Sequence, residues 1–541
     1  MSLSWSQQLI LVPVILPLLC GAALILVNET RHRLKFAFNL GSVLILLAAA
    51  FTLMWQVDSG YLTDGVGVYL AANWAAPFGI ALVVDRLAAL MLLLTAVLAA
   101  CSLLYALKRW GRVGVHFHSL FQFLLMGLNG AFLTHDLFNL FVFFEVMLAA
   151  SYGLLLHGYN VNRIRAGMQF VAVNLVASLL FLIGVALIYA NTGTLNMADL
   201  AARVNEMSAA DLGLLQVGMV TLLIVFLVKS AMWPFGFWLP TTYSAASPPV
   251  AAMFVLMTKV GVYVTLRIGM LVFPDKSGEM AGFGADLLFW GGIVTIVFGA
   301  AGMLASEVHG QLAGYAAVIS SGTLLAAIGY GHDALVPALL FYLVSSTLAV
   351  AALMLLIELI DRSRNPIQAL LALTKEAFDF EEAPEQPVGV GIPAAVAFIG
   401  LAFAGSALVI AGLPPLSGFI AKFSLFHALL GQGSEGAGLS MMAITFLTVV
   451  ILSGLAAIIA LMTYGIRTFW AGGMFPARLY RTEVAPISLL LLMCVLLTLY
   501  AGPALSYLER TGTGLQQTGV YIEKVLSAPV VARAGEAGNE H

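Results

Sequence analysis

The chain has 541 residues, of which 61% are hydrophobic and only 9% are charged. This composition excludes a water-soluble domain, and the long continuous apolar runs indicate an all-α polytopic membrane protein rather than a β-barrel. The formal net charge of −3 gives no reason to expect nucleic acid as a partner.

Runs of about 20 apolar residues predict membrane-spanning helices, because a helix of that length crosses the hydrocarbon core. The sequence contains fourteen such runs, and the first is expected to be a retained helix because it has no basic segment or cleavage site before it. The predicted spans are Gln7–Val27, Phe36–Trp55, Phe78–Leu107, Val115–Leu133, Leu137–His157, Gly167–Ala190, Leu212–Met232 (continued by Phe235–Tyr243), Val250–Phe273, Leu287–Ser306, Leu312–Tyr330, Ala334–Leu359, Ile392–Leu430 (broken), Met441–Trp470 and Pro486–Tyr507.

The basic residues predict how the chain crosses the membrane, because Lys and Arg concentrate in cytoplasmic loops. One set of loops contains most of them, whereas the opposite loops and the tail contain few. The richer set is Arg31, Arg33, Lys35, Lys108, Arg109, Arg112, Arg163, Arg165, Arg362, Arg364, Lys375, Arg467, Arg478 and Arg481. These loops are predicted to be cytoplasmic, which puts both termini on the external side.

Two spans are interrupted by proline beside a lysine. Pro234 follows Lys229 by five residues, and the prolines Pro414 and Pro415 precede Lys422. Proline removes a backbone donor and breaks or kinks a helix. A broken helix with a buried charge in each half is typical of transporters built from inverted repeats.

The predicted organisation has four parts. Residues 1–110 form the first three helices, residues 111–275 the first repeat, residues 286–470 the second repeat, and residues 471–541 the last helix with a polar tail. The second repeat contains an acidic, proline-containing insertion at 361–387. This insertion is either a solvated connector or a docking surface for another subunit.

Glu145 and Lys229 are the first candidates for chemistry, since each is a charged residue in an otherwise apolar span. A charge at membrane depth costs roughly 2.5–3.5 kcal/mol on insertion scales, so it is expected to face a partner in the bundle interior. We expect the two to form an ion pair that acts as a proton switch. The alternative is a static buried salt bridge, which would be a poor net source of stability.

Lys259 and Lys422 extend this set. Lys259 has no acid on its own helix, which indicates a hydrated cavity and a transferable proton. Lys422 follows the second break, where freed carbonyls and water could pass protons onward. The alternative for Lys259 is a lysine whose side chain snorkels to the membrane interface. The alternative for Lys422 is a helix-end lysine that points to the interface.

Weaker candidates for a water-filled path are Tyr315, Ser320, Ser345 and His427. Tyr315 and Ser320 could bridge the two halves through water or simply make packing hydrogen bonds, and His427 could belong to an exit path. Cys20, Cys101 and Cys494 lie in separate runs without metal-ligand spacing. No nucleotide, flavin or iron–sulfur motif is present, so no metal and no cofactor are expected.

Four stretches together resemble the antiporter-like subunits of respiratory complex I and of the Mrp-type multisubunit cation/H+ antiporters. They are FFEVMLAASYGLL, KSAMWPFGFWLPTTYSAASPPVAAMF, LMTKVGVY and LPPLSGFIAK. The similarity extends from about Phe78 to Trp470, and the stretches HFHSLFQFLLMGLNGAFLTHDLFNLFVFFEV and NTGTLNMADL resemble the D-type subunits of the Mrp antiporters in particular.

The resemblance implies a fourteen-helix secondary-transporter subunit, not an enzyme, in the bacterial inner membrane. It implies a complex with subunits of the A, B, C, E, F and G types, embedded in the lipid bilayer and exchanging H+ for Na+ or K+. Glu145 and Lys229 match the family's ion pair, Lys259 its central lysine and Lys422 its terminal lysine.

The chain departs from its relatives where they commonly have imidazoles. Ser320 stands where many relatives have His or Gln, and Ser345 stands where they have His. Water held by these serines and by their neighbours Ser321 and Ser346 is therefore expected to replace the side-chain relay.

The predicted function is proton translocation along Glu145, Lys229, Lys259 and Lys422 in exchange for a cytoplasmic monovalent cation. A second possibility is a proton-channel subunit of a redox-driven pump such as complex I or a membrane-bound hydrogenase. A third is a structural scaffold within such a complex, which would have no need of lysines at membrane depth.

Overall fold

The computed structural model describes residues 5–158, 161–207, 212–274, 280–363, 393–431, 440–469 and 479–530. These residues are mostly helical, as the composition predicts. The predicted insertion at 361–387 lies almost entirely outside the described residues.

The first half contains ten helices and one small sheet among the described residues. The elements are α1 (Trp5–Leu26), α2 (His32–Asp58), β1 (Gly67–Leu70), β2 (Ala81–Val84), α3 (Arg86–Ala106), α4 (Phe117–Leu133), α5 (Leu137–Leu156), α6 (Val161–Thr192), α7 (Met197–Glu206), α8 (Leu212–Lys229), α9 (Trp238–Ala245) and α10 (Pro248–Val272).

The second half is entirely helical in the described part of the chain. Its elements are α11 (Ala285–Ala305), α12 (His309–Gly329), α13 (Leu335–Ser363), α14 (Ala394–Ala411), α15 (Ser417–Leu430), α16 (Met441–Phe469), α17 (Arg481–Leu499), α18 (Ala501–Gln516) and α19 (Thr518–Leu526).

Thirteen of the described helices are long and apolar enough to cross a membrane. The 17-residue helix α4 and the 14-residue helix α15 are shorter apolar helices. The all-α membrane fold is therefore confirmed, while the count of fourteen spans and the inverted repeats stay predictions.

The third span was predicted to begin at Phe78, and this is wrong. Residues Ala81–Val84 form strand β2, which pairs antiparallel with β1 in the register Gly67↔Val84. Helix α3 begins only after Asp85, whose carboxylate accepts a hydrogen bond from the backbone N of Ala88 at 2.8 Å. A short apolar run fits a buried strand as well as a helix, so hydrophobicity alone does not separate the two.

The last span was predicted to be Pro486–Tyr507, and its bounds are wrong as well. Helix α17 ends at Leu499, and α18 begins as a separate helix at Ala501. Pro503 stands in the first turn of α18, a position that proline favours because its missing N–H would be unpaired there in any case.

The centre of the bundle is formed by α10, α12 and α13, which are almost entirely buried. Helices α1, α2, α6 and α17 lie at the periphery and expose many large apolar side chains. This arrangement suits a protein whose outer surface contacts lipid or neighbouring membrane subunits.

One end of the bundle, called here the hairpin end, contains β1, β2, α18 and α19. Asp58 at the end of α2 binds Arg510 of α18 through two contacts of 2.9 and 3.0 Å, and Asp64 binds Lys524 of α19 at 3.0 Å. The tail helices are therefore fastened to the N-terminal part of the chain.

The opposite end of the bundle is tied together by Glu358 of α13. Its carboxylate accepts hydrogen bonds from Tyr105 Oη at 3.0 Å, Trp110 Nε1 at 2.8 Å and Arg109 Nη1 at 2.9 Å. Arg362, one turn later, contacts Glu483 of α17 at 2.9 Å. These contacts join α3, α13 and α17.

Candidate functional site

Lys229 is the last residue of α8, and the chain is irregular from Ser230 until the short turn before α9. The helix break predicted around Pro234 is present there. The Lys229 side chain is buried, and its Nζ donates to Asn174 Oδ1 of α6 at 3.1 Å. The ammonium also lies 5.6 Å from the centre of the Phe144 ring, a cation–π contact.

Glu145 does not bind Lys229 directly, although a direct ion pair was expected. The Glu145 carboxylate accepts a short hydrogen bond from the Ser178 hydroxyl, and no ion pair within 4.0 Å joins it to Lys229. The expected geometry is wrong, because each of the two charged groups is bonded to a side chain of α6 instead of to the other. Asn174 and Ser178 are one turn apart on α6, so each can hold one partner.

These two α6 residues were missed in the sequence. Asn174 and Ser178 are polar residues spaced four apart in the apolar stretch FVAVNLVASLLFLIG. This spacing places them on one face of a helix, and polar side chains on a membrane helix usually bond to a neighbouring helix. The spacing was therefore a usable signal.

Lys259 lies in the middle of α10 at the centre of the bundle and is completely buried. Its Nζ donates to Ser320 Oγ of α12 at 2.7 Å, and Ser320 Oγ lies 2.8 Å from Ser346 Oγ of α13. Lys259 therefore begins a hydrogen-bonded series that crosses from α10 through α12 to α13.

Lys422 lies on α15, just after the second break. Helix α14 ends at Ala411, Gly412 follows with φ of 78°, and α15 begins at Ser417, so the break predicted at Pro414 and Pro415 is present. The Lys422 ammonium donates to the carbonyl of Ala411 at 2.8 Å. That carbonyl is one of the four at a helix end that lack an intrahelical partner.

A small cavity of about 20 Å³ lies between the Lys259 series and Lys422. That volume is enough for about one water molecule. Ser345 also bonds to Ser417 at the start of α15, with 2.8 Å between their hydroxyl oxygens. The polar residues that line the cavity are Ser320, Tyr342, Ser345, Ser346, Lys422 and Ser453.

The other two weaker candidates lie outside this cavity. Tyr315 packs edge-on against Phe298, with ring centres 6.0 Å apart. His427 is exposed and lines an open cavity of about 900 Å³ together with His332, Ser424 and Glu509. Of the four candidates for a water-filled path, the structure brings Ser320 and Ser345 together and places Tyr315 and His427 elsewhere.

Lys229, Lys259 and Lys422 each bind a neutral acceptor: an amide oxygen, a hydroxyl and a backbone carbonyl, respectively. No carboxylate forms an ion pair with any of them among the described residues. Neutral acceptors can hold either an ammonium or an amine, because they stay uncharged in both cases. The site can therefore gain and lose protons without breaking ion pairs. In the described part of the chain no group of three His, Cys, Asp or Glu residues could hold a metal ion.

The sequence matches the family described as NADH:quinone oxidoreductase/Mrp antiporter, transmembrane, over residues 134–455. A relative from Rhizobium meliloti, named as the probable D-type subunit of a K(+)/H(+) antiporter, is 51% identical over 98% of this chain and 99% of its own length. A relative from Bacillus subtilis, named as the D-type subunit of a Na(+)/H(+) antiporter, is 31% identical over 96% of this chain and 99% of its own length.

Solved structures show the same fold. A chain of the Mrp complex from Dietzia is 26% identical, with a TM-score of 0.81 over 97% of this chain and 100% of its own length. A chain of respiratory complex I from Thermus thermophilus is 22% identical, with a TM-score of 0.71 over 96% of this chain and 99% of its own length. With the family match and the near full-length relatives, these findings confirm the resemblance: the chain belongs to the NADH:quinone oxidoreductase/Mrp antiporter transmembrane family and groups with its D-type antiporter subunits.

Proposed function

We propose that this chain is the proton-translocating D-type subunit of a multisubunit K+ or Na+/H+ antiporter. Protons pass along Glu145, Lys229, Lys259 and Lys422. The observation that carries the proposal is the series of three buried lysines, each next to a helix break or at the centre of the bundle, and each held by a neutral acceptor.

The first part of the path uses α6 as a bridge. The Glu145 carboxylate and the Lys229 ammonium are each bonded to a side chain of α6, so a small movement of α6 changes both contacts together. Because an ammonium is stabilised by a nearby carboxylate, a change in their separation changes the affinity of Lys229 for its proton. That coupling is the proposed switch.

The second part uses serines and water. Ser320 and Ser346 lead from Lys259 toward the small cavity, and Lys422 stands on its other side. About one water molecule in that cavity supports proton transfer between hydroxyls and the ammonium. This arrangement supports the proposal that serines replace the imidazoles of related chains.

The transported cation is proposed to be K+, with Na+ as the alternative. The proposal rests on the name of the 51% identical relative, which describes a probable K(+)/H(+) antiporter. Transport assays on the complete complex with each cation separate the two: exchange driven by K+ supports the proposal, and exchange driven by Na+ alone contradicts it.

The working complex is proposed to contain membrane subunits of the A, B, C, E, F and G types in the inner membrane of a bacterium, with both termini of this chain outside. The similarity to a chain of the Mrp complex supports a multisubunit assembly. The exposed apolar surfaces of α2, α6 and α16 offer room for such neighbours.

Antiport in everted membrane vesicles tests the proposal. We expect Glu145→Ala and Lys229→Ala each to abolish cation-driven proton release while the complex still assembles, because each removes a member of the switch. Assembly is checked by copurification of the other subunits. Full activity in either variant would show that proton translocation does not use the Glu145 and Lys229 pair.

A subunit of a redox-driven pump is the second candidate. The chains of complex I and of the sulfane sulfur reductase complex that share the fold are each 22% identical to this chain. The relatives above 30% identity over nearly the full length are named as antiporter subunits. Copurification with iron–sulfur proteins would favour the redox pump instead.

A further inference from the structure

Arg163, in the first turn of α6, binds the ends of two other helices. Its Nε donates to the carbonyl of Ala245, the last residue of α9, at 2.8 Å. Its Nη1 donates to the carbonyl of His157, the residue that follows α5, at 2.6 Å and to that of Gly158 at 3.1 Å. Carbonyls at the end of a helix lack intrahelical partners and form the negative end of its dipole, so a guanidinium suits them. One side chain of α6 therefore fastens the ends of α5 and α9.

The ring of Trp110 supports the same guanidinium from another side. The Arg163 Cζ atom lies 5.0 Å from the centre of that ring, a cation–π contact. The ring is itself held in place, because Trp110 Nε1 donates to Glu358 of α13 at 2.8 Å. The carbonyl of Trp110 also lies 2.8 Å from His157 Nε2. The position of Arg163 is therefore fixed relative to α13 as well.

The three helices that Arg163 joins also hold the first two charged groups of the proposed path. Helix α5 carries Glu145, and α9 continues the chain after the break that follows Lys229. Helix α6 carries Asn174 and Ser178, the residues that bond to those two groups. Asn174 lies about three helical turns after Arg163 on one continuous helix. A shift of α6 at Arg163 therefore also moves the two polar residues further along that helix.

We propose that Arg163 is a positioning residue for transport. It fixes α6 relative to α5 and α9, and thereby keeps Asn174 and Ser178 in contact with the two charged groups of the switch. The inference rests on the proposed function. Arg163 exchanges no proton in this scheme, because it acts only through the helix on which it lies.

A role for the charge alone predicts a different outcome. Basic residues concentrate in cytoplasmic loops, and Arg163 contributes one positive charge to such a predicted loop. Arg165 contributes the same charge from the same turn of α6 but is exposed. If only the charge mattered, Arg163→Ala and Arg165→Ala would behave alike, and Arg163→Lys would match the wild type. If positioning matters, Arg163→Lys is impaired, because one ammonium nitrogen replaces the rigid fork of the guanidinium.

The test measures antiport by the assembled complex in everted vesicles, with each rate divided by the amount of complex. We expect Arg163→Ala to lower the maximal rate by about tenfold and to leave the half-saturating cation concentration unchanged, because it removes charge-assisted hydrogen bonds away from any cation path. Arg163→Lys should lower the rate by about threefold or more. Arg165→Ala, the matched control, should match the wild type.

A double variant separates positioning from a general loss of stability. Arg163→Ala is combined with Asn174→Ala, and its effect is measured in both backgrounds. Independent contributions multiply, whereas residues that act through one another do not. If Arg163 acts through Asn174, we expect Arg163→Ala to lower the rate of the Asn174→Ala variant by less than about threefold.

A wild-type rate in Arg163→Ala or Arg163→Lys, equal losses in Arg163→Ala and Arg165→Ala, or full multiplication in the double variant would overturn the inference. If Arg163→Ala does not assemble, Arg163→Lys takes its place in every comparison, because it keeps the charge and most of the side chain. Lys229→Ala is measured in parallel. If it is inactive while Arg163→Ala is fully active, only this inference fails. If Lys229→Ala is fully active, the proposed function fails, and the inference fails with it.

Discussion

Asn174 is the residue through which α6 contacts the buried lysine of the first break, and we predict that transport depends on it. Asn174→Ala removes the acceptor 3.1 Å from the Lys229 ammonium and leaves that charge without its hydrogen bond. Hydrogen bonds to charged groups are worth about 1.5–3 kcal/mol, so we expect the antiport rate to fall by about tenfold or more.

The matched control is Asn129→Ala. Asn129 is also a buried amide on a membrane helix, and it donates to the carbonyl of Pro13 at 2.9 Å, away from the lysines. We expect this variant to transport at the wild-type rate once its expression is normalised. Equal rates in the two variants would show that Asn174 contributes only to packing.

Glu29, in the loop before α2, gives a prediction about pH. Burial alone would raise the pKa of Glu29. Its carboxylate accepts hydrogen bonds from Lys35 at 2.7 Å and from the backbone N of His116, and the positive charges of Lys35 and His116 lie close to it. These contacts outweigh burial, so the pKa lies below its usual value. A lowered folded-state pKa contributes stability that is fully present above the unfolded value of about 4.3 and is lost as the pH falls through the folded value.

We therefore predict that Glu29→Gln lowers the unfolding midpoint of the purified complex by roughly 1 °C at pH 7, a small effect because the carboxylate is partly exposed. The difference should shrink as the pH falls below about 4.3, where the carboxylate takes up a proton in the unfolded chain, and should be lost below the lower folded-state pKa. Tryptophan fluorescence during a temperature ramp measures both values. Glu206→Gln, at an exposed helix end, is the control and should leave the unfolding midpoint at pH 7 unchanged.

At the scale of elements, the second break depends on glycines that leave room for the lysine side chain. A Cβ atom at Gly454 of α16 would lie 3.2 Å from Lys422 Nζ and 3.1 Å from Ala411 O, the two atoms that bond to each other. We predict that Gly454→Ala pushes these atoms apart and lowers the antiport rate by about tenfold. The same vesicle assay measures the rate.

Gly405→Ala is the control for this prediction. It also adds a methyl group to a membrane helix of the second half, but its nearest neighbours would be 3.8 and 3.9 Å away, in ordinary contact. It should leave transport unchanged. If Gly454→Ala were as active as Gly405→Ala, the contact between Lys422 and Ala411 would not matter for transport.

The sequence predicted the elements whose chemistry is local. Pro234, Pro414 and Pro415 break helices because proline cannot donate a backbone hydrogen bond, and the structure breaks at these places. Strand β2 was not predictable from hydrophobicity, since its residues Ala81–Val84 are apolar in any conformation.

The contacts between helices were predictable only in part. Lys229 and Lys259 were recognised because a buried charge stands out in an apolar span. The bonds of Glu145 and Lys229 to α6 were not predicted, because periodicity shows which face of a helix is polar but not which helix lies opposite. Ser320 was identified as a polar residue in an apolar span and Ser345 by comparison with a position in relatives, and both line the cavity beside Lys422.

At the scale of the whole molecule, the predicted topology is open to direct measurement. We expect Gly519→Cys, in the exposed part of α19, to react with a membrane-impermeant maleimide in intact cells. Arg33→Cys, at the start of α2, should react only in everted vesicles, because its loop is predicted to be cytoplasmic.

The native cysteines should give little background labelling, since Cys101 and Cys494 are buried and Cys20 is partly buried. The unmodified chain therefore serves as the control for background labelling. Labelling of Arg33→Cys in intact cells would contradict the predicted orientation and would indicate that both termini lie in the cytoplasm.

The ion pair between Asp58 and Arg510 joins residues that are 452 positions apart. During synthesis, the ribosome inserts α2 into the membrane long before it has translated α18. The hairpin end therefore stays open until nearly the whole polypeptide has been made. A product that terminates before Arg510 cannot form this ion pair, so its α2 is never joined to α18 through Asp58.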